Sequence, residues 1–304
     1  YIMSKFDTFN INFLKYSSSA FILSAFIIIS GIMFCLITGV KKSIDFTGGT
    51  VANISIDKEE YDIDFLRKYL SENLDKNISI VKEGFDEKNY RIILTMKFLK
   101  DEKKLSNTLN NIYFQNYKIN MIESIGPKIG DELQASAIKA ILTAIIFIGI
   151  YISFRFDGYY ALGSIAALIH DVIITFVFLM FFQYEISITI IAALLTIVGY
   201  SLNDTIVIYD RIRENLKINI NVEREIVVNK SLNTTLNRTI ITSLTTLIVA
   251  LVLYIFGGEI LEPFAMALIV GVLTGTYSSL FVATPLMVIL EDKYRLEDLE
   301  DEED

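Results

Sequence analysis

The stretch "ISITIIAALLTIVGYSLNDTIVIY", residues 186–209, decides the fold. It is long and apolar enough to cross a ~30 Å hydrocarbon layer as a helix, which takes about 20 residues. Near its end Asn203 and Asp204 stand side by side, and apolar sequence then resumes with Ile206, Val207 and Ile208. A helix end in the interfacial zone has no need of that resumption. An ionisable side chain at membrane depth costs at least ~2.5 kcal/mol, so Asp204 is a functional candidate by default.

Working outward, five more runs have the same character, at about 17–40, 134–154, 159–182, 239–256 and 264–290. Of the 304 residues 53% are hydrophobic and three are proline. The 27 basic and 36 acidic residues, net −9, are unevenly placed. They gather between Lys41 and Glu132, in a stretch after Tyr209, and in the tail "EDKYRLEDLEDEED". A soluble globule mixes its charges through the sequence. The expected fold class is therefore an α-helical polytopic membrane protein with six transmembrane helices.

Residues 1–16 form a cytoplasmic N-terminus in this reading and 17–40 the first helix. At more than 20 residues, with no clear A-x-A site, that helix reads as retained and not as a cleaved signal. Residues 41–133 form an exported domain, and 134–290 carry helices 2–6 with a cytoplasmic connection at about 210–238. Residues 291–304 are an acidic cytoplasmic tail. Orientation follows from Lys and Arg, which stay inside. The connections 183–185 and 257–263 have neither, whereas 210–238 holds Arg211, Arg213, Lys217, Arg224, Lys230 and Arg238. The lone Cys35 excludes an intrachain disulfide.

Within 50–126 the periodicity switches between two and 3.6. "TVANISI" alternates, "YDIDFLRKYLSENL" stripes Ile63, Leu66, Leu70 and Leu74, and "NISIVKE" and "YRIILTMKF" alternate about a turn at "GFDEKN". "KKLSNTLNNIYF" stripes Leu105, Leu109 and Ile112, and "YKINMIESI" alternates again. The order βαββαβ predicts an α+β ferredoxin-like domain between helices 1 and 2. It has no histidine, cysteine or phosphate loop, and reads as an interaction module.

Polar residues inside the runs name the candidate site. The third run holds His170 and Asp171, the fourth Asn203 and Asp204. In the fifth, Arg238 recurs at helical spacing with Thr235, Thr242 and Thr245. Arg238 is the expected counter-charge of Asp204, because a bare carboxylate in hydrocarbon is so costly. Burial and a nearby arginine oppose each other in setting an acid's proton affinity, so small movements would make Asp204 take up or release a proton. The threonines could hold water between the two groups. His170 and Asp171 fit either a satisfied core hydrogen bond or a supporting part in the relay. Gly271 and Gly275 suit close helix packing, and Pro285 a kink.

At these residues the chain resembles the SecF family of bacterial SecD–SecF protein-export machinery, within the resistance–nodulation–division superfamily. The matching stretches are "IDFTGGT" (44–50), "SIGPKIGDEL" (124–133), "HDVIIT" (170–175), "GYSLNDTIVIYDRIREN" (199–215), "SLNTTLNRTIITSLTT" (231–246) and "GTYSS" (275–279). They place Gly48, Gly49, Gly126 and Pro127 in structural motifs. The resemblance implies a multi-pass protein of the bacterial cytoplasmic membrane, both termini cytoplasmic, with SecD as obligate partner. A SecY-type channel, unfolded exported polypeptides and membrane lipids are its other implied partners. It implies proton transport through the aspartate of "ND" and the arginine of "NRT", here Asp204 and Arg238. A further relay aspartate belongs to SecD, its place here being taken by Asn203. The proton is then the coupling ion, with no other cofactor, no metal, no catalytic residue and no nucleic acid.

Two rivals stand beside this reading: a proton-driven small-molecule exporter of the same superfamily acting as a homodimer, and a non-transporting translocon assembly factor. An intramembrane aspartyl protease using Asp171 and Asp204 lacks the G-x-G-D pattern, and arginine pairing would deny it the shared proton.

Overall fold

Backbone amides have no water to bond in hydrocarbon, so a chain with these runs can span only as helices that bond themselves. The computed structural model describes residues 10–57, 63–76, 78–85, 89–100, 103–111 and 117–301. Six of its helical stretches are long and apolar enough to cross a membrane. They are α1 (Phe13–Thr38), α5 (Pro127–Arg155), α6 (Gly158–Phe181), α7 (Ile188–Ile218), α8 (Arg224–Phe256) and a sixth, Leu261–Tyr294. The sixth is composite. Helix α9 (Gly258–Ser278) passes through a π-helical turn (Ser279–Ala283) into α10 (Thr284–Asp301). Pro285 follows that turn and has no amide hydrogen to return to an i−4 carbonyl.

Most helices outrun the apolar sequence. Charged residues with good helix propensity keep the i→i−4 ladder going in water, so α7 reaches Ile218 and α8 starts at Arg224. The connection expected over 210–238 is therefore almost all helix, and only 219–223 break it. Ion pairs line these extensions. Arg155 meets Asp210 at 2.9 Å and Arg211 meets Glu214 at 2.7 Å. Arg224 bridges Glu291 and Asp292 of α10.

The chain divides into two units, residues 1–41 with 139–304, and residues 42–138. In the first, α6, α7 and the sixth span are the most enclosed, while α1, α5 and α8 turn most of their surface outward. Its apolar core includes Phe156, Tyr160, Leu168, Tyr209 and Met287. Helices α7 and α9 approach closely through the predicted small residues. A Cβ on Gly271 would lie 2.2 Å from Ile197 Cδ1, and one on Gly275 2.9 Å from Ser201 Cβ. Before α1, the segment 10–13 is held by two α8 amides. Asn233 and Asn229 accept from the amides of Ile11 and Phe13, at 2.9 and 2.8 Å, and both donate to the Ile11 carbonyl.

The second unit opens with a short helix α2 (Ile44–Thr47). After it come β1 (Gly49–Asp57), α3 (Ile63–Asn73), β2 (Ser79–Phe85), β3 (Asn89–Met96), α4 (Lys103–Asn110) and β4 (Tyr117–Ile125). The strands form one antiparallel sheet in the order β2-β3-β1-β4, with Ala52 opposite Leu94 and Ile54 opposite Ile92. Alternation delivers Ala52, Ile54, Ile92 and Leu94 to one face, which meets Leu66 and Leu70 of α3 and Leu105 and Leu109 of α4. Ile112, expected to extend the α4 stripe, and residues 86–88 of the "GFDEKN" turn lie outside the described residues. Gly48 and Gly49 join α2 to β1 with φ of 69° and 153°. A Cβ on Gly48 would sit 2.6 Å from Pro127 Cα, so the "IDFTGGT" and "SIGPKIGDEL" motifs meet here.

Candidate functional site

The two intramembrane aspartates sit in opposite hydrogen-bonding circumstances. Asp171 on α6 is 0% exposed and fully engaged. Ser201 of α7 and Ser278 of α9 donate to its Oδ2 at 2.6 and 2.7 Å, and His170 Nδ1 lies 3.0 Å from Oδ1. The other ring nitrogen of His170, itself buried, is 3.0 Å from the Ser24 hydroxyl of α1. Ser24 in turn meets Tyr277 OH at 3.1 Å, and Tyr277 donates to the Ala20 carbonyl at 2.8 Å. One carboxylate thus ties α1, α6, α7 and α9 together.

Asp204, one turn beyond Ser201 on α7, is 3% exposed yet poorly bonded. Its Oδ1 faces the Thr242 hydroxyl of α8 at 3.4 Å. That hydroxyl has one hydrogen and also lies 2.9 Å from the Thr239 carbonyl and 3.0 Å from that of Arg238. Its share for Asp204 is therefore weak. Oδ2 of Asp204 is buried and has no hydrogen-bond partner among the described residues. The hydroxyls of Tyr200, one turn earlier on α7, and Thr239, one turn earlier on α8, are in the same state. Nearly all buried polar groups are bonded, so a carboxyl group with this much unused capacity calls for a reason.

The expected contact between Asp204 and Arg238 does not form. No ion pair joins them among the described residues, and the Arg238 side chain is exposed on the outer surface of α8. Its charge acts on Asp204 through space only. The reason is angular. Four residues carry a helix about 40° past a full turn, and the stripe that turns inward carries Thr235, Thr239 and Ser243. Thr242 stands at the edge between the two faces. Asn203 also points outward from α7. The structure thus gathers His170 with Asp171 and Thr242 with Asp204, and leaves Asn203 and Arg238 each exposed on its own helix.

Ser24, Ser201, Tyr277 and Ser278 were not singled out as site residues from sequence. The only signal was their place in apolar runs, two of them within "GTYSS". Outside the hydrocarbon zone, Tyr184 before α7 donates to Glu262 at 2.6 Å. Burial, that bond and the glutamate charge all push the Tyr184 hydroxyl above the usual tyrosine range. No cluster of three or more His, Cys, Asp or Glu suited to a metal occurs among the described residues.

Comparison with known proteins places this arrangement. The family described as "Protein export membrane protein SecD/SecF, C-terminal" matches residues 104–293. A protein translocase subunit SecF of Calditerrivibrio nitroreducens is 39% identical, over 93% of this chain and 94% of that protein. That of Escherichia coli O157:H7 is 38% identical over 92% and 87%. A solved structure of SecDF from Thermus thermophilus, described as a translocon-associated membrane protein, superposes with a TM-score of 0.82 at 35% identity. It covers 94% of this chain, which in turn spans about two fifths (39%) of that longer one. A SecDF in a super-membrane-facing form gives 0.70 at 34% identity. With such similarity along almost its whole length, the chain belongs to the SecD/SecF family of protein-export membrane proteins.

Proposed function

We propose that the chain is the SecF-type half of a proton-driven accessory complex of the Sec translocon, with Asp204 as the group that takes up and releases the proton. The observation that carries this reading is the buried, under-bonded Asp204 carboxyl beside α8. A carboxyl group held by three short bonds, as Asp171 is, resists change. One with an oxygen outside hydrogen-bond geometry, a long contact to Thr242 and only the Ser243 hydroxyl besides accepts a proton at little structural cost. The Thr242 hydroxyl can turn between the carboxylate and its own helix carbonyls, so it follows the protonation state of Asp204 without breaking the helix.

Arg238 then acts toward a neighbour. A guanidinium facing hydrocarbon costs ~2.5–3.5 kcal/mol, and its exposure here marks a surface that a second helical half would cover. A SecD partner supplying an aspartate opposite Arg238 fits, and the greater length of the SecDF chains supports it. Each proton crossing 100 mV releases ~2.3 kcal/mol, and each pH unit adds ~1.4 kcal/mol. Together these are enough to bias a two-state movement of the helices.

In this reading the basic ends of α7 and α8 and both termini lie in the cytoplasm of a bacterium. The order βαββαβ with sheet order β2-β3-β1-β4 supports a ferredoxin-like domain on the exported side, where it handles emerging polypeptide beside a SecY-type channel. The test is export in the native complex with and without a proton gradient. Asp204→Asn should assemble with its partner and lose the gradient-dependent part of export. An Asn variant that exports at the wild-type rate would overturn the proposal and leave an assembly role in its place.

A further inference from the structure

We propose that the His170–Asp171 dyad is a second proton-binding site, separate from Asp204, and that it holds two protons. One is shared between Nδ1 and Oδ1, and the other sits on Nε2.

The argument is a count of hydrogens. From the Ala20 carbonyl through Tyr277 OH and Ser24 Oγ to His170 Nε2 there are three contacts, at 2.8, 3.1 and 3.0 Å. Each needs one hydrogen. The carbonyl has none, and the two hydroxyls supply one each. The third must come from Nε2. Turning the tyrosine hydrogen toward Ser24 only moves the unbridged contact to the 2.8 Å approach of two oxygens at Ala20. On the other side of the ring, the 3.0 Å contact of Nδ1 with Asp171 Oδ1 needs a hydrogen of its own. The two hydrogens at Oδ2 belong to Ser201 and Ser278. Two protons on the dyad satisfy every contact, and one does not.

Charge gives the same answer independently. With two protons the dyad is neutral overall. With one it is a net anion at a position with no exposure. No lysine or arginine pairs with Asp171 among the described residues, where its one ion-pair partner is His170. An uncompensated buried charge is strongly destabilising.

The groups facing the dyad are polar and uncharged: Ser24 from α1, Ser201 from α7, and Tyr277 and Ser278 from α9. The Tyr277 ring stacks on the imidazole at 6.0 Å. Asp204 on α7 points to Thr242 and shares no hydrogen bond with the dyad. Loss of the Nε2 proton would free the Ser24 hydrogen to turn from Tyr277 to His170. Proton occupancy thereby decides whether Ser24 of α1 bridges α6 and α9 or bonds α6 alone. This site stands whether or not Asp204 drives export.

His170 is the sole histidine in the sequence, so the test reads one residue. The full chain is labelled with 15N-histidine, placed in lipid nanodiscs and examined by NMR at neutral pH. Both ring nitrogens should show a directly bonded or shared hydrogen, with Nε2 resonating as N–H. In Tyr277→Phe, the Ser24 hydrogen is released from its tyrosine partner and competes at Nε2, so the Nε2 resonance should move from its wild-type position at the same pH. A bare Nε2 in the folded wild-type chain at neutral pH overturns the proposal, as does a folded Tyr277→Phe chain with an unchanged Nε2 resonance. Neither outcome bears on the Asp204 export assay, whose failure would in turn leave this spectrum unchanged.

Discussion

Replacing Gly271 by alanine tests whether the polar network depends on how closely α9 lies against α7. An ideal Cβ at Gly271 falls 2.2, 2.4 and 2.8 Å from Cδ1, Cγ1 and Cγ2 of Ile197. Ordinary carbon contacts are about 3.5–4.0 Å, so relief requires a shift of more than about 1 Å. All three clashing atoms belong to one side chain, and that side chain is wholly buried, so it cannot simply swing aside. Moving α9 outward instead would stretch the 2.7 Å bond from Ser278 to Asp171. Overpacking costs ~1–3 kcal/mol, and a hydrogen bond to a charged group adds ~1.5–3 kcal/mol if it is lost. We expect a loss of about 2.5–6 kcal/mol if both act, seen as a clear fall in the thermal unfolding midpoint of the purified protein. Ile197→Ala removes all three clashing atoms. Alone it should also destabilise, by ~2–5 kcal/mol, because it opens a cavity. Combined with Gly271→Ala it should cost less than the sum, with a coupling of at least ~1 kcal/mol. Additive effects, or a Gly271→Ala protein as stable as wild type, would show that the tight α7–α9 approach is not what seats Ser278 on Asp171.

Two further variants probe how the helix ends are fastened. Arg224→Ala should release α10 from α8 by leaving Glu291 and Asp292 without their shared cation, read as faster proteolysis after residue 284; an unchanged digestion rate refutes it. Asn229→Ala with Asn233→Ala removes the acceptors of two amides and both donors to the Ile11 carbonyl. At ~0.5–1.5 kcal/mol per bond, hydrogen exchange at Ile11 and Phe13 should quicken at least tenfold, and wild-type protection would mean that the segment is held by something else.

How far the site could be read from sequence depended on whether its signal was local. Asp204 declared itself because a carboxylate within an apolar run is conspicuous by cost alone. Ser201 and Ser278 did not, since a serine in a membrane helix can bond its own i−4 carbonyl and needs no distant partner. The pairing of Asp204 with Arg238 was inferred from need and helical spacing. Spacing, however, fixes only the angle between two side chains on one helix, not what lies opposite either of them.

By itself the sequence determined the six spans, because hydrocarbon thickness sets helix length and backbone bonding inside a membrane is local. It also determined the alternation that lays β1, β3 and their neighbours over a buried face. Only the tertiary structure decided which aspartate is saturated and which is open. That difference turns on whether residues 30 or more positions away, Ser201 and Ser278 for Asp171 and Thr242 for Asp204, come within hydrogen-bond reach. It decided too that Arg238 faces outward, since the packing of α8 against α7 and α9 selects which stripe of the helix is enclosed.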